Sequence, residues 1–378
     1  MNIISPIIFK LPNNFLNYKE LENDNVLLSQ MIPYPLFTLG FHSFVNRTRS
    51  ALDITKNINT KTEFYYVVNP FENKISDYED DIINSNKIYL KTDKVYSNNF
   101  NKFWEVLFVF DIIQQSSTIQ IIDGDEIEEC IDLFQKKTSK NTFKNTFVTE
   151  KNVKKNSCDL IISHYKKTVL DENFIEQESY VEFISSIINV LKNLADGGNV
   201  VLQYYDTFTL PSIKLIYIIQ SFFENSYVYK PFLSRHSDSN RYLILKNYKS
   251  TKSDVVINKL EKCLKKIDDK NYLSDIFPDL VLSKDFLSYM KFINIKLINN
   301  QQIMINDIVK YIKENNYYSE KYHNYREKQI ESTKWWVTNF YPPSVNLYDK
   351  NKEDLDKIYK NAQSKFVLEY QKFNEMLV

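Results

Sequence analysis

The stretch DGGNVVLQYYDTFTLPSIKLIYIIQSFF (Asp196–Phe223) decides the fold of this protein. A Gly-Gly pair leads into NVVLQYY, a short apolar run that is typical of a buried strand. The segment that follows, SIKLIYIIQSFF, has the length and pattern of an amphipathic helix. A strand that passes through a short link into a helix is the repeating unit of a parallel α/β sheet.

The same alternation extends outward on both sides of this stretch. Upstream, the pattern predicts strands at STIQIID and CDLIISHY and helices at FNKFWEVLFVFDII, EIEECIDLFQKK and SYVEFISSIINVLKNLA. We expect the last of these helices to end at Asp196-Gly197-Gly198, because glycine favours the left-handed conformation that commonly closes a helix. Downstream, SYVYKPF and RYLILKNYK form a closing strand pair. The sequence therefore predicts an α/β fold with helices on both faces of a parallel sheet whose last strands turn antiparallel.

Two flanking regions differ from this centre. Residues 1–80 mix short apolar runs with Asn and Pro, and they contain a predicted short helix, FHSFVNRTRSALDIT, and a β-rich segment, EFYYVVNPFE. Beyond residue 250 the pattern is helix after helix, with KWWVTNFYPPS as the one break. We therefore predict an N-terminal extension (1–80), a central domain (81–250) and a helical C-terminal region (251–378).

The composition restricts the possible functions. Lys+Arg and Asp+Glu balance at 48 each over 378 residues, so no overall basic field indicates a nucleic-acid binder. Four glycines are too few for a phosphate-cradling loop, and three cysteines with four scattered histidines predict no metal site and no disulfide framework. The first residues lack a signal-peptide pattern, and no apolar run approaches the roughly 18 residues of a membrane span. We expect an intracellular protein or one packaged in a particle.

Four segments of the centre carry a resemblance to a known family. They are SNNFNKFWEVL, STIQIIDGDEIEE, CDLIISHY, and the span from GGNVVLQYYDTF through KPFLSRHSDSNRYLILKNYK. In this order they resemble the SRAFYKxWE helix, the S-adenosylmethionine strand and turn, the DLIxxDGG strand and the GGxxVLKxF to KPxxSRxxSxERYLV region of the FtsJ-like ribose 2′-O-methyltransferases, in the branch of large DNA viruses. NYREKQIESTKWW and YPPSVNLY are also similar to that branch. The resemblance implies a Rossmann-like methyltransferase sheet.

The resemblance also implies four catalytic positions, and this chain departs from the family at three of them. The family uses two lysines, an aspartate and a glutamate to activate a ribose hydroxyl. Lys102 matches the first lysine, and His164 stands at the aspartate. Gln203 stands at the second lysine and Asn240 at the glutamate. A glutamine amide neither takes a proton nor carries the positive charge that stabilises an alkoxide.

Two of these positions keep a second interpretation. Lys102 is either a relic of the site or a solvated helix lysine. His164 is either a replacement base, since imidazole titrates near physiological pH, or a polar cap at the end of a strand.

The cofactor turn departs from the family as well. The family's turn is close to AEAPGGF, whose paired glycines let the backbone approach the methionine moiety, whereas this chain has IIDGDEIEE. Glu126 and Ile127 stand near the glycine positions, and only Asp123 and Gly124 are left as candidate cofactor-binding residues. We therefore expect no cofactor, or S-adenosylmethionine if the protein is active.

Basic and aromatic side chains offer a possible RNA contact. Lys230, Arg235, Arg241 and Lys246 lie around the closing strands, at the family's substrate-facing edge. Arg241 could equally pair with Asp206 or Asp238. The pair Trp335-Trp336 is either part of a C-terminal core or a clamp that stacks on the cap.

These residues favour one function and leave two alternatives. The preferred hypothesis is a catalytically degenerate FtsJ-like RNA 2′-O-methyltransferase homologue. It would act as a structural or regulatory protein partner of a viral mRNA capping, modification or transcription machinery, with no membrane and no metal. The alternatives are an active S-adenosylmethionine-dependent mRNA cap 2′-O-methyltransferase and a non-catalytic RNA-binding module.

Overall fold

The computed structural model describes residues 5–31, 39–57, 68–71 and 84–376, apart from residues 85, 93, 95, 114, 125, 140, 142, 165–171, 268–269 and 315–318. The strands are β1 (Ile7–Lys10), β2 (Val26–Ser29), β3 (Thr118–Ile122), β4 (Thr146–Val148), β5 (Cys158–Ser163), β6 (Leu194–Tyr204), β7 (Phe223–Lys230), β8 (Arg241–Tyr248) and β9 (Tyr272–Ile276). The α-helices are α1 (Leu39–Ser50), α2 (Asn98–Phe110), α3 (Ile127–Thr138), α4 (Ile175–Glu178), α5 (Tyr180–Asn193), α6 (Leu210–Gln220), α7 (Ser253–Lys266), α8 (Lys284–Lys313), α9 (Glu320–Phe340) and α10 (Val345–Glu375).

A mixed sheet of seven strands forms the centre, in the order β1-β7-β8-β6-β5-β3-β4. Strands β4, β3, β5 and β6 are parallel, whereas β8 is antiparallel to both β6 and β7. The α/β prediction and the antiparallel turn of the last strands are thereby confirmed. The first strand of the N-terminal extension, β1, is antiparallel to β7 and completes one edge of the same sheet.

Apolar cores lie on both faces of the sheet, as the near-continuous apolar strands require. On one face, alternate strand residues such as Val200, Leu202 and Leu243 pack with residues of α5, α6, α7 and α8. On the other face, Val201 and Ile244 pack with residues of α2, α3, α9 and α10. The helices of the C-terminal region thus cover both faces of the sheet that the central region builds.

Two local predictions were wrong. Helix α5 ends at Asn193, and Leu194 at its end is extended (φ −74°, ψ 133°), so no left-handed residue closes it. Instead Gly197, with φ at 80°, lies within β6, where the pairing with β5 shifts register. The glycines serve an irregular strand rather than a helix end.

The second wrong prediction is the break in the helices at KWWVTNFYPPS. Helix α9 continues through both tryptophans to Phe340, and the chain leaves the helix at Tyr341.

The flanking regions contain the predicted short helix and three strands that the sequence did not indicate, β1, β2 and β9. FHSFVNRTRSALDIT forms most of α1 and a following 3₁₀ segment, Ala51–Asn57. Strand β9, in the region expected to be wholly helical, pairs with β2 of the extension. The β-rich prediction for EFYYVVNPFE falls largely outside the described residues. Among the helices described, none is both long and apolar enough to cross a membrane.

Candidate functional site

The candidate site lies where the parallel strands end. Ile122 at the end of β3 pairs with Ser163 at the end of β5, and Tyr204 at the end of β6 pairs with Arg241 at the start of β8. Ligands of open α/β sheets bind outside this carboxyl edge, so it is the place to look for chemistry. We call it the carboxyl edge.

Gln203 lies one residue before the end of β6, and its side chain is 2% exposed. Its cross-strand neighbour is Tyr242 of β8. The Oε1 atom of Gln203 is buried without a hydrogen-bond partner among the described residues. The position therefore holds a neutral amide, enclosed by protein, where the family pattern has a charged lysine.

The other tetrad positions gather around the same strands. The Tyr242 hydroxyl lies 3.5 Å from Nδ1 of His164, which follows β5 and is buried. Asn240 immediately precedes β8; its backbone N–H donates to Oδ1 of Asp238 at 3.0 Å, while its own Oδ1 is buried without a partner in the described part of the chain. The structure therefore brings His164, Gln203 and Asn240 to one edge.

Lys102 approaches this edge from α2. Burial acts to raise the pKa of Asp238, but the positive charges of Lys230 and Lys102 outweigh it and hold that pKa below its ordinary value. Lys102 therefore lies within electrostatic reach of Asp238, beside the substituted positions. Lys102 keeps the charge that the family has at this position, whereas His164, Gln203 and Asn240 do not keep the charges of theirs.

A buried ion network closes the carboxyl edge beyond Gln203. Asp206 follows β6 and accepts from Nη1 of Arg49 at 2.7 Å and from Nη2 of Arg241 at 2.6 Å. Arg49 belongs to α1 in the N-terminal extension, and all three side chains are at most 8% exposed. The alternative that paired Arg241 with Asp206 is the one that the structure contains.

Helix α8 covers this network from the other flanking region. Gln301 accepts from Nε of Arg49 at 3.2 Å and donates from Nε2 to the Ser237 carbonyl at 2.6 Å. Asn294 donates to the Thr207 carbonyl at 2.7 Å and accepts from the Thr207 hydroxyl at 2.9 Å. Segments from both ends of the chain therefore occupy the space above β6 and β8.

Two small cavities lined by described residues lie beside this network. One is lined by Lys230, His236 and Gln301 among others, and one by Arg49, Asn173 and Phe208 among others; each has a volume of about 10 Å³. A volume of that size holds about one water molecule. Burial and the nearby Lys230 charge lower the pKa of His236 to about 4, so this imidazole is neutral at physiological pH.

The turn after β3 does not fit a methionine carboxylate. Asp123 is exposed, with φ at 53°. Gly124 is needed for internal packing, since a Cβ there would lie 2.3 Å from Cδ1 of Ile127. Asp123 and Gly124 thus form a tight turn whose glycine accommodates the helix that follows.

Helix α3, which starts at that turn, begins with negative charge. Glu126, at φ 63°, precedes the helix and accepts from the Ser97 N–H at 2.8 Å. Glu129 of the first turn accepts from Lys94 at 2.5 Å and from the Tyr96 hydroxyl at 2.9 Å. The start of α3 therefore carries acidic side chains, whose negative charge disfavours a further anion there, so the described residues of this turn do not fit S-adenosylmethionine.

Most of the basic positions proposed for RNA are engaged inside the protein. Lys230 is 5% exposed and donates to Asp238 Oδ1 at 2.9 Å, and burial lowers its pKa. Lys246 donates to the Phe110 carbonyl at 2.6 Å, and Arg241 lies in the network with Asp206. Arg235 is half-buried. The cluster therefore contributes to internal structure at three of its four positions.

A second buried polar cluster lies on the opposite face of the sheet. Glu105 of α2 is fully buried and accepts from Nε1 of Trp336 at 2.9 Å, from the Phe232 N–H at 2.8 Å and from the Tyr229 hydroxyl. Trp336 is therefore part of the core, as one of its two interpretations held. Within the described residues, no group of three or more His, Cys, Asp or Glu side chains is placed to hold a metal ion.

Sequence reasoning missed the residues that close the carboxyl edge. Arg49, Asn294 and Gln301 lie in regions whose motifs carry no chemistry, and Arg49 is separated from Asp206 by 157 positions. Only Asp206 was anticipated, as one of two possible partners of Arg241.

One family model and several known proteins are similar to this chain. The family model described as FtsJ-like methyltransferase matches residues 110–248. A protein of Acanthamoeba polyphaga mimivirus, named as uncharacterized, is 24% identical over 372 residues, which is 94% of this chain and 99% of the relative.

Proteins with functional names match over a smaller part. Cap-specific mRNA (nucleoside-2′-O-)-methyltransferase 1 of Dictyostelium discoideum is 28% identical over 107 residues, 28% of this chain and 14% of the relative. A Caenorhabditis briggsae protein named inactive cap-specific mRNA (nucleoside-2′-O-)-methyltransferase 1B is 25% identical over 173 residues, 44% of this chain and 20% of the relative. The matches to these two relatives thus span a fifth of their length or less.

Proposed function

We propose that this chain, whose residues 110–248 match the FtsJ-like methyltransferase family model, is a non-catalytic protein built on that fold. In this proposal it acts as a structural or regulatory partner in the formation of viral mRNA caps or in viral transcription. It keeps the sheet of a ribose methyltransferase and uses it as a scaffold.

One observation carries the proposal: described residues of the protein itself occupy the carboxyl edge around Gln203 and Asp206. Gln203 is 2% exposed, and Asp206 beyond it is held between Arg49 and Arg241. A ribose hydroxyl must come within about 3 Å of a catalytic base, which requires open space at this edge. The Arg49 network takes that space, and the neutral Gln203 offers neither base nor cation.

The cofactor turn supports the same proposal. A bound sulfonium must be held in line with the attacking oxygen, which depends on backbone groups that approach the methionine moiety closely. At the turn after β3, Ile127 fills the space beside Gly124, and α3 starts with Glu128 and Glu129. Neither feature favours a bound amino acid carboxylate.

The names of the relatives support the setting. Several carry a cap-specific mRNA methyltransferase name, and one of these is named inactive, so both kinds of protein share this domain. The relative that matches nearly the whole chain comes from a large DNA virus. We infer a role beside the enzymes that cap or transcribe viral mRNA.

The test is a cofactor titration joined to an activity assay. Calorimetric titration of the full chain with S-adenosylmethionine should give no dissociation constant tighter than about 1 mM. Transfer of a labelled methyl group to capped RNA should stay at the level without enzyme, beside an active cap 2′-O-methyltransferase as positive control. Micromolar binding together with methyl transfer would overturn the proposal.

The partner is tested separately, by co-purification of tagged chain from cells infected with the virus that encodes it. Recovery of a capping enzyme or a polymerase supports the proposed role. Salt-dependent RNA binding in its place, reduced by Arg235→Glu, would instead favour an RNA-binding module.

A further inference from the structure

A groove lies on the surface where the end of β1 meets the last helix. Its walls are the segment Lys10–Asn13 and one face of α10, and Tyr289 of α8 contributes to its floor. Its volume is about 890 Å³. We call it the β1–α10 groove; every one of these residues lies outside the FtsJ-like match.

Helix α10 exposes apolar side chains into this groove. Leu368 is 59% exposed and Val367 is 43% exposed. The neighbouring residue Phe366 is buried instead, with its ring 4.4 Å from that of Phe9 and 5.4 Å from that of Tyr289. Phe366 therefore anchors α10 to the protein, while Val367 and Leu368 of the same helix line the groove.

The charge of the groove is one-sided. Lys10 and Lys360 line it and are exposed, and no aspartate or glutamate is among its lining residues. In a chain with equal numbers of acidic and basic residues, this leaves a local positive rim around an apolar floor. Gln363 and Gln371 add neutral amides that can hydrogen-bond to a peptide backbone.

The groove is separate from the carboxyl edge. In the sheet, Lys10 pairs with Tyr227, whereas Gln203 lies level with Tyr242, which pairs with Tyr229. The chain continues from Lys10 away from the carboxyl edge, so substitutions in the groove leave the Asp206 network in place.

We propose that the β1–α10 groove binds a short acidic, amphipathic segment of a partner protein. Its apolar side chains lie against Leu368 and Val367, and its carboxylates lie beside Lys10 and Lys360. The inference rests on the proposed function, since a chain that works without its own reaction must act through a partner, and it names the chemistry of that partner.

The experiment is a selection followed by a binding measurement. A phage library of random peptides of about 16 residues, long enough for a groove-binding amphipathic segment, is panned on the full chain. The enriched peptides should combine leucine or phenylalanine with several Asp or Glu residues. A fluorescein-labelled synthetic copy should bind with a dissociation constant of about 10 µM or tighter by fluorescence anisotropy. Leu368→Asn, which removes an apolar contact without adding charge, and Lys360→Glu should each weaken binding about tenfold.

The control is Ile303→Asn, because Ile303 is 57% exposed on α8 and does not line the groove. This variant should bind the peptide like the unchanged chain, and all variants should melt at the same temperature. Enrichment of basic or uncharged peptides, or binding that survives both groove substitutions, would refute the proposal. So would self-association in sedimentation velocity that Leu368→Asn abolishes, since the occupant would then be a second copy. None of these outcomes depends on whether S-adenosylmethionine binds.

Discussion

Two buried charge clusters hold the flanking regions on the central sheet, and they do so by different chemistry. At the carboxyl edge, Asp206 is held between Arg49 and Arg241, so charge faces charge. On the opposite face, Glu105 faces the neutral donors Tyr229 and Trp336. Burial raises the pKa of Glu105 to about 7 despite those hydrogen bonds. The ion network around Asp206 is thus stable in its charged form, whereas the Glu105 cluster is more stable when its carboxyl is protonated and neutral.

The largest expected effect comes from removing the charge at the carboxyl edge. Asp206→Asn leaves two buried guanidinium groups without a counter-ion, which costs about 3–5 kcal/mol of unfolding free energy. Urea denaturation measures this loss. The matched control is Asp24→Asn, because Asp24 pairs with Lys262 and Lys266 near the surface, where solvent screens the charges and the loss should be much smaller. Equal losses in the two variants would contradict the comparison.

The next effect concerns Glu105 and depends on pH. Its folded pKa of about 7 is above the ordinary 4.5, so the folded state holds a proton that the unfolded chain releases. The contribution of Glu105 is complete below pH 4.5 and is lost as pH rises toward 7, at about 1.4 kcal/mol per pH unit. The stability of the unchanged chain relative to Glu105→Gln should therefore fall by roughly 3 kcal/mol over that range.

Denaturant curves of both proteins at several pH values check this prediction. Above pH 7 the difference should become constant. Parallel stability curves across the whole range would show that the Glu105 carboxyl is not shifted.

The smallest effect is expected at Gln203. Its Oε1 is buried without a partner, so Gln203→Leu exchanges an unsatisfied polar atom for an apolar one of similar size. We expect a change of within about 1 kcal/mol, neutral or stabilising. A thermal melt decides the sign. A loss of several kcal/mol would mean that the amide makes contacts that hold the edge together.

The sequence predicted the centre of the fold well because strand and helix periods are local signals. STIQIID, CDLIISHY and NVVLQYY are the strands β3, β5 and the end of β6. The resemblance to the family predicted that His164, Gln203 and Asn240 lie at one edge of the sheet. They do so in the structure, where Gln203 pairs with Tyr242.

Long-range contacts lay beyond the reach of sequence reasoning. Nothing local distinguishes Arg49 from Arg47, yet Arg49 is the side chain buried against Asp206. From the sequence, Arg241 and Lys230 suggest a basic surface patch, because a sequence shows which residues are charged but does not show which of them are buried. The Gly197-Gly198 pair is equally compatible with a helix cap and with an irregular strand. Only the pairing of β6 with β5 decides between the two.

Strand β1 has a consequence for the order of assembly. It pairs with β7, more than two hundred positions later, and its Phe9 ring packs against Phe366 near the end of the chain. Contacts of such separation form slowly: during synthesis the β1 pairing waits for β7, and the Phe9–Phe366 contact waits for α10. Until β1 has paired with it, β7 is an open sheet edge that can pair with another chain. Newly made protein therefore passes through a stage in which its first strand is waiting for its last helix.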